Sequence, residues 1–506
     1  MDPYYAPTGF PNPTAGLPPI ENAPYAPTGF PNPTTGPTPI EITGDGTDYD
    51  DEVLSGGSVR SGQGDVVTQV VYRVNTPSTP TATGGGNGYD DEVLSGGSGG
   101  SGQGDVVTEV IYTAKTPSTT TVDGRSLAVC TVVDGPEPLY FPDDGLCDFV
   151  FFDSLGVSPE NNDFAVERQS SAVHSFVKQG QAGQRTRYGM SVSFSDAHNF
   201  SDAFRTPKGK ADYESYWTYS VYDWGFLSID ELQVEARPSA DIILALTTLK
   251  EMQEYAVSKN VQRPCTFLGI YPRQERVCAE VSDYIKNIFT PTGVVVLGHL
   301  SYSDNTRSDC VIMPPVNFVD PRAQKPGIGY GHRMRDAMKA VACLWKHNVR
   351  TSMFLSVTMQ ARRYKLKSGS QGQPQFYSDC ETDAYEQRIT AQEMCDNPNS
   401  GYITNINHDD KFQSAIAYDH AGGFAVTFED RLSLREKICH TWTPEARDIR
   451  LSLAVYDVNY DRRSSMCHSR WISGRWTRLR FLLMIRYFFE RDRPVTNIYD
   501  ACSRIA

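Results

Sequence analysis

The fold is decided by the stretch Arg450-Leu-Ser-Leu-Ala-Val-Tyr-Asp-Val-Asn-Tyr-Asp461. It begins as an apolar run of the kind that forms a buried strand, and it finishes in Tyr456, Asp457, Tyr460 and Asp461. In a (β/α)8 barrel, the pocket is lined by side chains that follow the C-terminal ends of the strands. A buried strand that ends in acidic and aromatic residues therefore favours this type of barrel.

Other segments of the chain after about Arg125 have the same form, because short strand-like runs alternate with longer helical patterns. The predicted strands are Asp148–Leu155, Tyr188–Phe194, Trp224–Ile229, Thr266–Tyr271, Val294–Leu300, Thr351–Met359, Ser414–Tyr418 and Leu451–Val458. The predicted helices are Ala240–Lys259, Arg276–Phe289, His332–His347 and Thr477–Arg491, and the predicted loops include Lys365–Gln375 and Cys395–Asp410. Eight strands with helices between them predict an α/β fold, a single (β/α)8 TIM-type barrel over residues 125–506.

Residues 1–124 differ from the rest in composition. They contain 15 of the 32 Pro and 21 of the 41 Gly, no Cys, and 15 acidic against 3 basic residues. Two units are duplicated: Tyr5–Thr14 recurs as Tyr25–Thr34, and Tyr49–Ser58 recurs as Tyr89–Ser98. Such a composition buries too little apolar surface to offset chain entropy, which predicts a disordered, acidic Pro/Gly/Ser-rich tail. The alternative is a tandem recognition motif, in which repetition raises avidity.

Charge and motifs exclude several classes of function. The net charge is −14, of which −12 belongs to residues 1–124, so neither part has the basic surplus typical of nucleic-acid binding. No apolar run reaches the roughly 18 residues of a membrane span, and no signal peptide is visible at the N-terminus. No P-loop, HExxH or GxSxG motif occurs, and Gly327–Gly331 lacks the spacing of a nucleotide fingerprint. No cofactor is predicted.

All eleven cysteines lie between Cys130 and Cys502. There is no C-x-x-C and no Cys/His spacing typical of zinc, so disulfides are favoured over a metal site. The odd number leaves at least one thiol free or intermolecular. Disulfides suggest export although no leader is visible; either an upstream signal or anchor is missing, or the thiols are cytosolic and reduced.

Four segments occur in an order that resembles one family: Gly145–Leu155, Arg187–Phe194, Arg350–Met359 and Ala454–Asp461. They resemble the chitinase-like proteins of ticks and related arachnids, which are degenerate relatives of glycoside hydrolase family 18. The resemblance covers residues 126–495 and not the tail. It implies a (β/α)8 barrel, a chitin-like glycan or a protein as ligand, and an extracellular or cell-surface location, since many members carry an anchor or signal.

The resemblance also says which catalytic motif to look for. In family 18 the final Glu of Asp-x-x-Asp-x-Asp-x-Glu protonates the glycosidic oxygen, and the carbonyl of the substrate's own N-acetyl group is the nucleophile. The motif does not occur here; Asp148-Phe-Val-Phe-Phe-Asp153 continues into Ser154-Leu155. Losing a general acid typically costs about 10²–10⁴-fold in rate. The chain is therefore predicted to be non-catalytic, a pseudoenzyme.

Several residues at predicted strand ends remain candidates for a site. Asp153 and Asp457 are the best carboxylate pair for catalysis, with helix caps or rim networks as the structural alternative. Aromatic rings can stack on sugars, and His299 could act as a base or sugar contact, although such residues are also ordinary core. The predicted ligand-binding residues are Tyr271, His299, Tyr418, Tyr456, Tyr460 and Asp461, and Tyr302 also lies near a predicted strand end.

Three functions are compatible with these patterns. The favoured one is a non-catalytic, extracellular glycan- or protein-binding barrel. The second is an active glycoside hydrolase with displaced catalytic carboxylates. The third is a scaffold or adhesive protein in which the repeat tail carries the function.

Overall fold

The computed structural model describes residues 126–505. Its gaps are 136–137, 158–162, 230–239, 300–309, 321–323, 325–331, 368, 370–371, 382–386, 391–392, 397–400, 442–448, 462–475, 492–498, 500–501 and 503. The predicted tail therefore lies outside the described residues, and its predicted disorder stays a prediction.

The described residues form a closed barrel of eight parallel strands, which confirms the predicted fold class. The barrel strands are β1 (Ala128–Val132), β2 (Phe149–Leu155), β3 (Arg187–Val192), β4 (Val221–Phe226), β5 (Thr266–Ile270), β6 (Gly293–Val296), β7 (Ser352–Thr358) and β13 (Leu451–Tyr456). β1 closes the barrel because it pairs with β13 on one side and β2 on the other, with Val129 opposite both Ala454 and Phe149.

Helices cover the outside of the barrel. They are α1 (Ser171–Ala182), α2 (Ala197–Arg205), α3 (Pro207–Trp217), α4 (Ala240–Ser258), α5 (Glu275–Asn287), α6 (Met334–Lys346), α8 (Arg431–Thr441) and α9 (Thr477–Arg491). α4, α5, α6 and α9 agree with the four predicted helices. Within the described part of the chain, no helix is both long and apolar enough to span a membrane.

Aromatic side chains fill the barrel interior. The ring of Phe267 on β5 packs against those of Phe149, Phe151 and Phe354, with centroids 4.9, 5.1 and 5.8 Å away. Gly269 is required on the same strand, because a Cβ atom there would lie 1.8 Å from the backbone oxygen of Leu227. Large aromatic side chains fill the core, and glycine, which has no side chain, leaves room for the neighbouring backbone. Together they let the strands close around one core.

A second sheet is inserted between β7 and β13. It has five strands in the order β10-β11-β12-β8-β9. Its elements are β8 (Ala361–Lys365), β9 (Gln387–Ile389), α7 (Glu393–Asp396), β10 (Ile406–Asp409), β11 (Ser414–Asp419) and β12 (Phe424–Phe428).

This sheet corrects two predictions. Ser414–Tyr418 was predicted to be a barrel strand, which is wrong: it belongs to β11, and the eighth barrel strand is β1. A short apolar run predicts a buried strand but cannot say which sheet it joins. The prediction of a loop over Cys395–Asp410 is also wrong, since it contains β10, whose polar side chains conceal the strand.

Four disulfides occur among the described cysteines: Cys130–Cys147, Cys278–Cys343, Cys310–Cys380 and Cys439–Cys502. The predicted disulfides are thereby confirmed. Cys502 is fully buried and bonded to α8, so the C-terminal segment is attached to the fold. Cys265 is a free thiol.

Candidate ligand site at the barrel mouth

Asp153 lies near the C-terminal end of β2, on the mouth side of the barrel. Ser228, just after β4, donates a hydrogen bond of 2.7 Å to Asp153 Oδ2. The Oδ1 atom is buried and has no hydrogen-bond partner among the described residues. Burial raises the pKa of this carboxyl, while the hydroxyls of Ser228 and Ser191 and the guanidinium of Arg388 oppose the rise. Asp153 therefore offers one oxygen to a ligand.

Asp457 follows β13 directly, in a left-handed backbone conformation with φ of 59°. Its backbone N–H donates to Thr131 Oγ1 at 3.0 Å, and its Oδ2 accepts from Thr358 Oγ1 at 2.6 Å. The pKa of Asp457 is raised to about 6, chiefly by burial and also by the nearby Asp153 carboxylate, while the hydrogen bond from Thr358 opposes the rise. The fold thus brings together the two carboxyl groups that the sequence singled out.

His299 lies three residues beyond β6 and is fully buried. Its Nδ1 lies 2.7 Å from Ser356 Oγ, which already accepts from the backbone N–H of Gly298 at 2.8 Å. Donation by the serine hydroxyl to Nδ1 would place the proton of the neutral ring on Nε2. Burial holds the pKa of His299 well below its usual range. Nε2 has no partner in the described part of the chain.

Aromatic side chains surround these groups. Tyr456 packs against His299 with ring centroids 4.3 Å apart, and its hydroxyl donates to the Leu227 carbonyl at 2.5 Å. Tyr271 follows β5, packs against His332 at 4.3 Å, and accepts from the Arg333 backbone N–H. The Tyr456 hydroxyl therefore spends its proton within the protein, whereas the Tyr271 hydroxyl accepts a bond and keeps its own proton for donation.

Two further predicted ligand-binding residues, Tyr460 and Asp461, follow Asp457 in the chain. Tyr460 lies in the short 3₁₀ turn Val458–Tyr460 behind Asp457 and is 4% exposed. Asp461 accepts from Arg478 Nε at 2.9 Å and from the backbone N–H of Leu479 at 3.0 Å, so it anchors α9.

Tyr418 lies on β11 of the inserted sheet, with its ring 4.9 Å from that of His420. It was predicted to follow a barrel strand, and that placement is wrong because β11 does not belong to the barrel. Tyr302 lies outside the described residues.

Sequence reasoning missed the hydroxyl and guanidinium groups that complete the mouth. Ser228, Ser356 and Thr358 bind the acidic and imidazole groups, yet Ser and Thr at strand ends carry no distinctive pattern. Arg362 on β8 and Arg388 on β9 come from the inserted sheet, directly opposite each other in register. Only the tertiary arrangement lets their charges act on Asp457 and His299, whose pKa values both arginines lower.

No family model and no curated protein sequence matches this chain. The structure is similar to a group IV chitinase from Ostrinia furnacalis, with a TM-score of 0.51 and 13% identity over 72% of this chain and 100% of that one. It is also similar to the immunomodulatory active chitinase TsES1 from Trichuris suis, with a TM-score of 0.49 and 12% identity over 71% of this chain and 99% of that one. A third similar structure is human YKL-39, described as a pseudo-chitinase with retained chitooligosaccharide binding, with a TM-score of 0.49 and 12% identity over 71% of this chain and 99% of that one. The similarity to the Ostrinia furnacalis chitinase shows a shared fold, the (β/α)8 barrel.

Proposed function

We propose that the barrel mouth binds a chitin-like glycan without hydrolysing it. The observation that carries this proposal is a pair of buried polar atoms without protein partners, Asp153 Oδ1 and His299 Nε2, beside the rings of the mouth. A buried polar atom left unpaired costs free energy, so such atoms favour a ligand that pairs with them. Sugar hydroxyl and amide groups supply both a donor and an acceptor.

The non-catalytic part of the proposal rests on how the carboxyl groups are used. Asp457 is held by Thr358 and by its own backbone conformation, and Asp153 shares one oxygen with Ser228. The family motif is absent from the sequence, which agrees with the resemblance to degenerate arachnid relatives. Asp230 and Glu231 follow β4 and lie outside the described residues.

Calorimetric titration of the full chain with chito-oligosaccharides, with product analysis over days, tests both parts. Saturable binding without shortened products is expected. His299→Leu should weaken binding at least about tenfold, since a hydrogen bond to a buried group is lost. His299→Gln, which keeps an N–H donor, should restore part of it, and His420→Leu on the inserted sheet should change nothing. Absence of saturable binding by the wild-type chain would sink the proposal.

A glycoside hydrolase is the second candidate, because burial raises the pKa of both Asp153 and Asp457 and the Asp153 carboxylate adds to the rise at Asp457. Carboxyl pairs of this kind serve acid–base chemistry in other hydrolases. Sustained release of short oligosaccharides that Asp153→Asn or Asp457→Asn abolishes would establish it. Turnover that persists in both of these variants but stops in Asp230→Asn or Glu231→Gln would instead assign the catalytic acid to the segment after β4.

We further propose an extracellular location, supported by the four disulfides of the described residues. Non-reducing peptide mapping of the protein from its native source should recover these four bonds. Recovery of reduced thiols at the same positions would contradict this location.

The repeat tail could instead carry a scaffold or adhesive function. Deletion of residues 1–124 separates this possibility from the first, because binding that survives the deletion does not depend on the tail.

A further inference from the structure

One segment of the chain has the form of an acceptor site for N-linked glycosylation. Asn199-Phe200-Ser201 is an Asn-x-Ser triplet, in which x is any residue except Pro. The only other Asn-x-Ser/Thr triplets of the sequence are two Asn-Pro-Thr, at Asn12 and Asn32, and Pro blocks both as acceptors. The chain therefore offers a single asparagine to the enzyme that transfers the glycan.

Asn199 lies on the outer wall of the barrel. It belongs to the first turn of α2, which begins at Ala197, five residues after the end of β3. Its side chain is exposed, as are those of His198 and of Asp202, one turn further along the helix. A glycan on the amide nitrogen of Asn199 can therefore extend into solvent without displacing a neighbouring element.

The other two residues of the triplet face the core. Phe200 is fully buried and stacks on Trp224, with ring centroids 5.7 Å apart. Ser201 is 1% exposed, and its hydroxyl donates to the Ala197 carbonyl at 2.7 Å and lies 2.6 Å from Thr248 Oγ1. The hydroxyl group of the triplet is thus held inside the fold, between α2 and α4.

This division between surface and core sets the order of folding and modification. The transferring enzyme has to contact the asparagine amide and the serine hydroxyl of the triplet together. In the folded barrel the side chain of Asn199 is accessible and the hydroxyl of Ser201 is not. Transfer therefore has to take place before α2 packs on α4, while the exported chain is still unfolded.

We propose that Asn199 carries an N-linked glycan. The inference rests on the proposed extracellular location and is independent of what the barrel mouth binds. In the transfer, the side-chain nitrogen of Asn199 forms a bond to the anomeric carbon of an oligosaccharide that is carried on a lipid diphosphate. The bond between that carbon and the diphosphate oxygen breaks, the amide releases one proton, and the lipid diphosphate leaves.

Peptide mapping of the protein from its native source tests the modification and the location together. Release of the glycan by peptide N-glycosidase in water labelled with heavy oxygen should leave a labelled aspartate at position 199. The same protein, mapped without reduction, should contain the four disulfides. Disulfides without the label overturn the glycan and leave the location in place, whereas reduced thiols without the label overturn both.

Variants of the full chain, exported from cultured eukaryotic cells behind an added signal peptide, show which residue is modified. The wild-type chain should migrate faster in a denaturing gel after glycosidase treatment, by the mass of one glycan. Asn199→Gln should abolish this shift, and an exposed side chain can be replaced with little risk to the fold. Asn12→Gln, in a triplet that Pro blocks, is the matched control and should keep the shift.

Two results of this comparison would contradict the proposal: no shift in the wild-type chain, or a shift that persists in Asn199→Gln. The order of events has its own readout. Purified oligosaccharyltransferase should modify the full chain after reduction and alkylation and should leave the folded, disulfide-bonded chain unmodified, because Ser201 is buried. Equal modification of the two forms would overturn the requirement that transfer precedes folding.

Discussion

The carboxyl group of Asp457 shows how a residue at a strand end depends on its surroundings. It is 5% exposed, and its hydrogen bond from Thr358 does not offset the cost of removing the charge from water, so its pKa rises to about 6. An aspartate in an unfolded chain has a pKa of about 3.9. The folded protein consequently holds this proton more tightly than the unfolded chain does.

Asp457→Asn should raise the free energy of unfolding at pH 7.5 by up to about 3 kcal/mol, since about two pKa units separate the folded and unfolded states. Because the folded-state pKa of this carboxyl group is raised, Asp457 contributes fully to the stability of the wild-type protein below about pH 4. This stabilising contribution is lost as the pH rises through about 6. The gain should therefore vanish at pH 4. Urea denaturation at both pH values measures it, with the exposed Asp410→Asn as control; an equal effect at both would contradict the shift.

At the scale of elements, a buried ion pair attaches the inserted sheet to α8 and to the segment between β6 and α6. Lys437 Nζ on α8 donates to Glu429 Oε1 after β12, to Ser414 Oγ on β11 and to the Val316 carbonyl, at 2.6, 2.6 and 2.7 Å. Lys437, Glu429, Ser414 and Val316 are all fully buried. The network thus holds in place the sheet that carries Arg362 and Arg388.

Lys437→Met should lower the free energy of unfolding by about 3–5 kcal/mol, because it leaves Glu429 buried without its counter-ion. The double variant Lys437→Met with Glu429→Leu should recover much of this loss, since no buried charge remains. A double-mutant cycle by chemical denaturation measures the coupling. Additive single effects would show that the two side chains do not act as a pair.

For the whole molecule, closure of the barrel depends on β1. Its residues pair with β2 and β13, the Leu127 backbone N–H donates to Ser452 Oγ at 2.8 Å, and Cys130 is bonded to Cys147. Without β1, two neighbouring strands would each expose an unpaired edge. The limit of the folded unit can therefore be tested by truncation.

Removal of residues 1–124 should leave the Tm of the barrel within about 2 °C of that of the full chain, because closure starts at residue 126. Removal of residues 1–133, only nine more, should abolish cooperative unfolding. Circular dichroism melts of the two truncated chains make the comparison. A large loss of Tm in the shorter deletion would show that the tail contributes to folding.

Helices and strands were predicted correctly from the sequence where the pattern of apolar residues within the segment itself indicates its type. Local patterns predict the helices α4 and α9 and the strands β2, β5 and β7, and the sequence singles out Asp153 and Asp457 because each comes after an apolar run. β1 was missed because its five residues resemble any short apolar run, and β11 was assigned to the barrel for the same reason. Arg362 and Arg388 could not be found, since nothing local distinguishes them from surface arginines.

The sequence by itself determined the class of the fold and most of the acidic, aromatic and histidine groups at the mouth, because strand periodicity and the positions after strands are local properties of the chain. The tertiary structure alone decided which runs close the barrel, which cysteines bond, and which hydroxyl groups bind Asp153, Asp457 and His299. Those features depend on pairing between segments far apart in sequence. The same pairing buries Asp457 and His299, and that burial raises the pKa of Asp457 and lowers the pKa of His299.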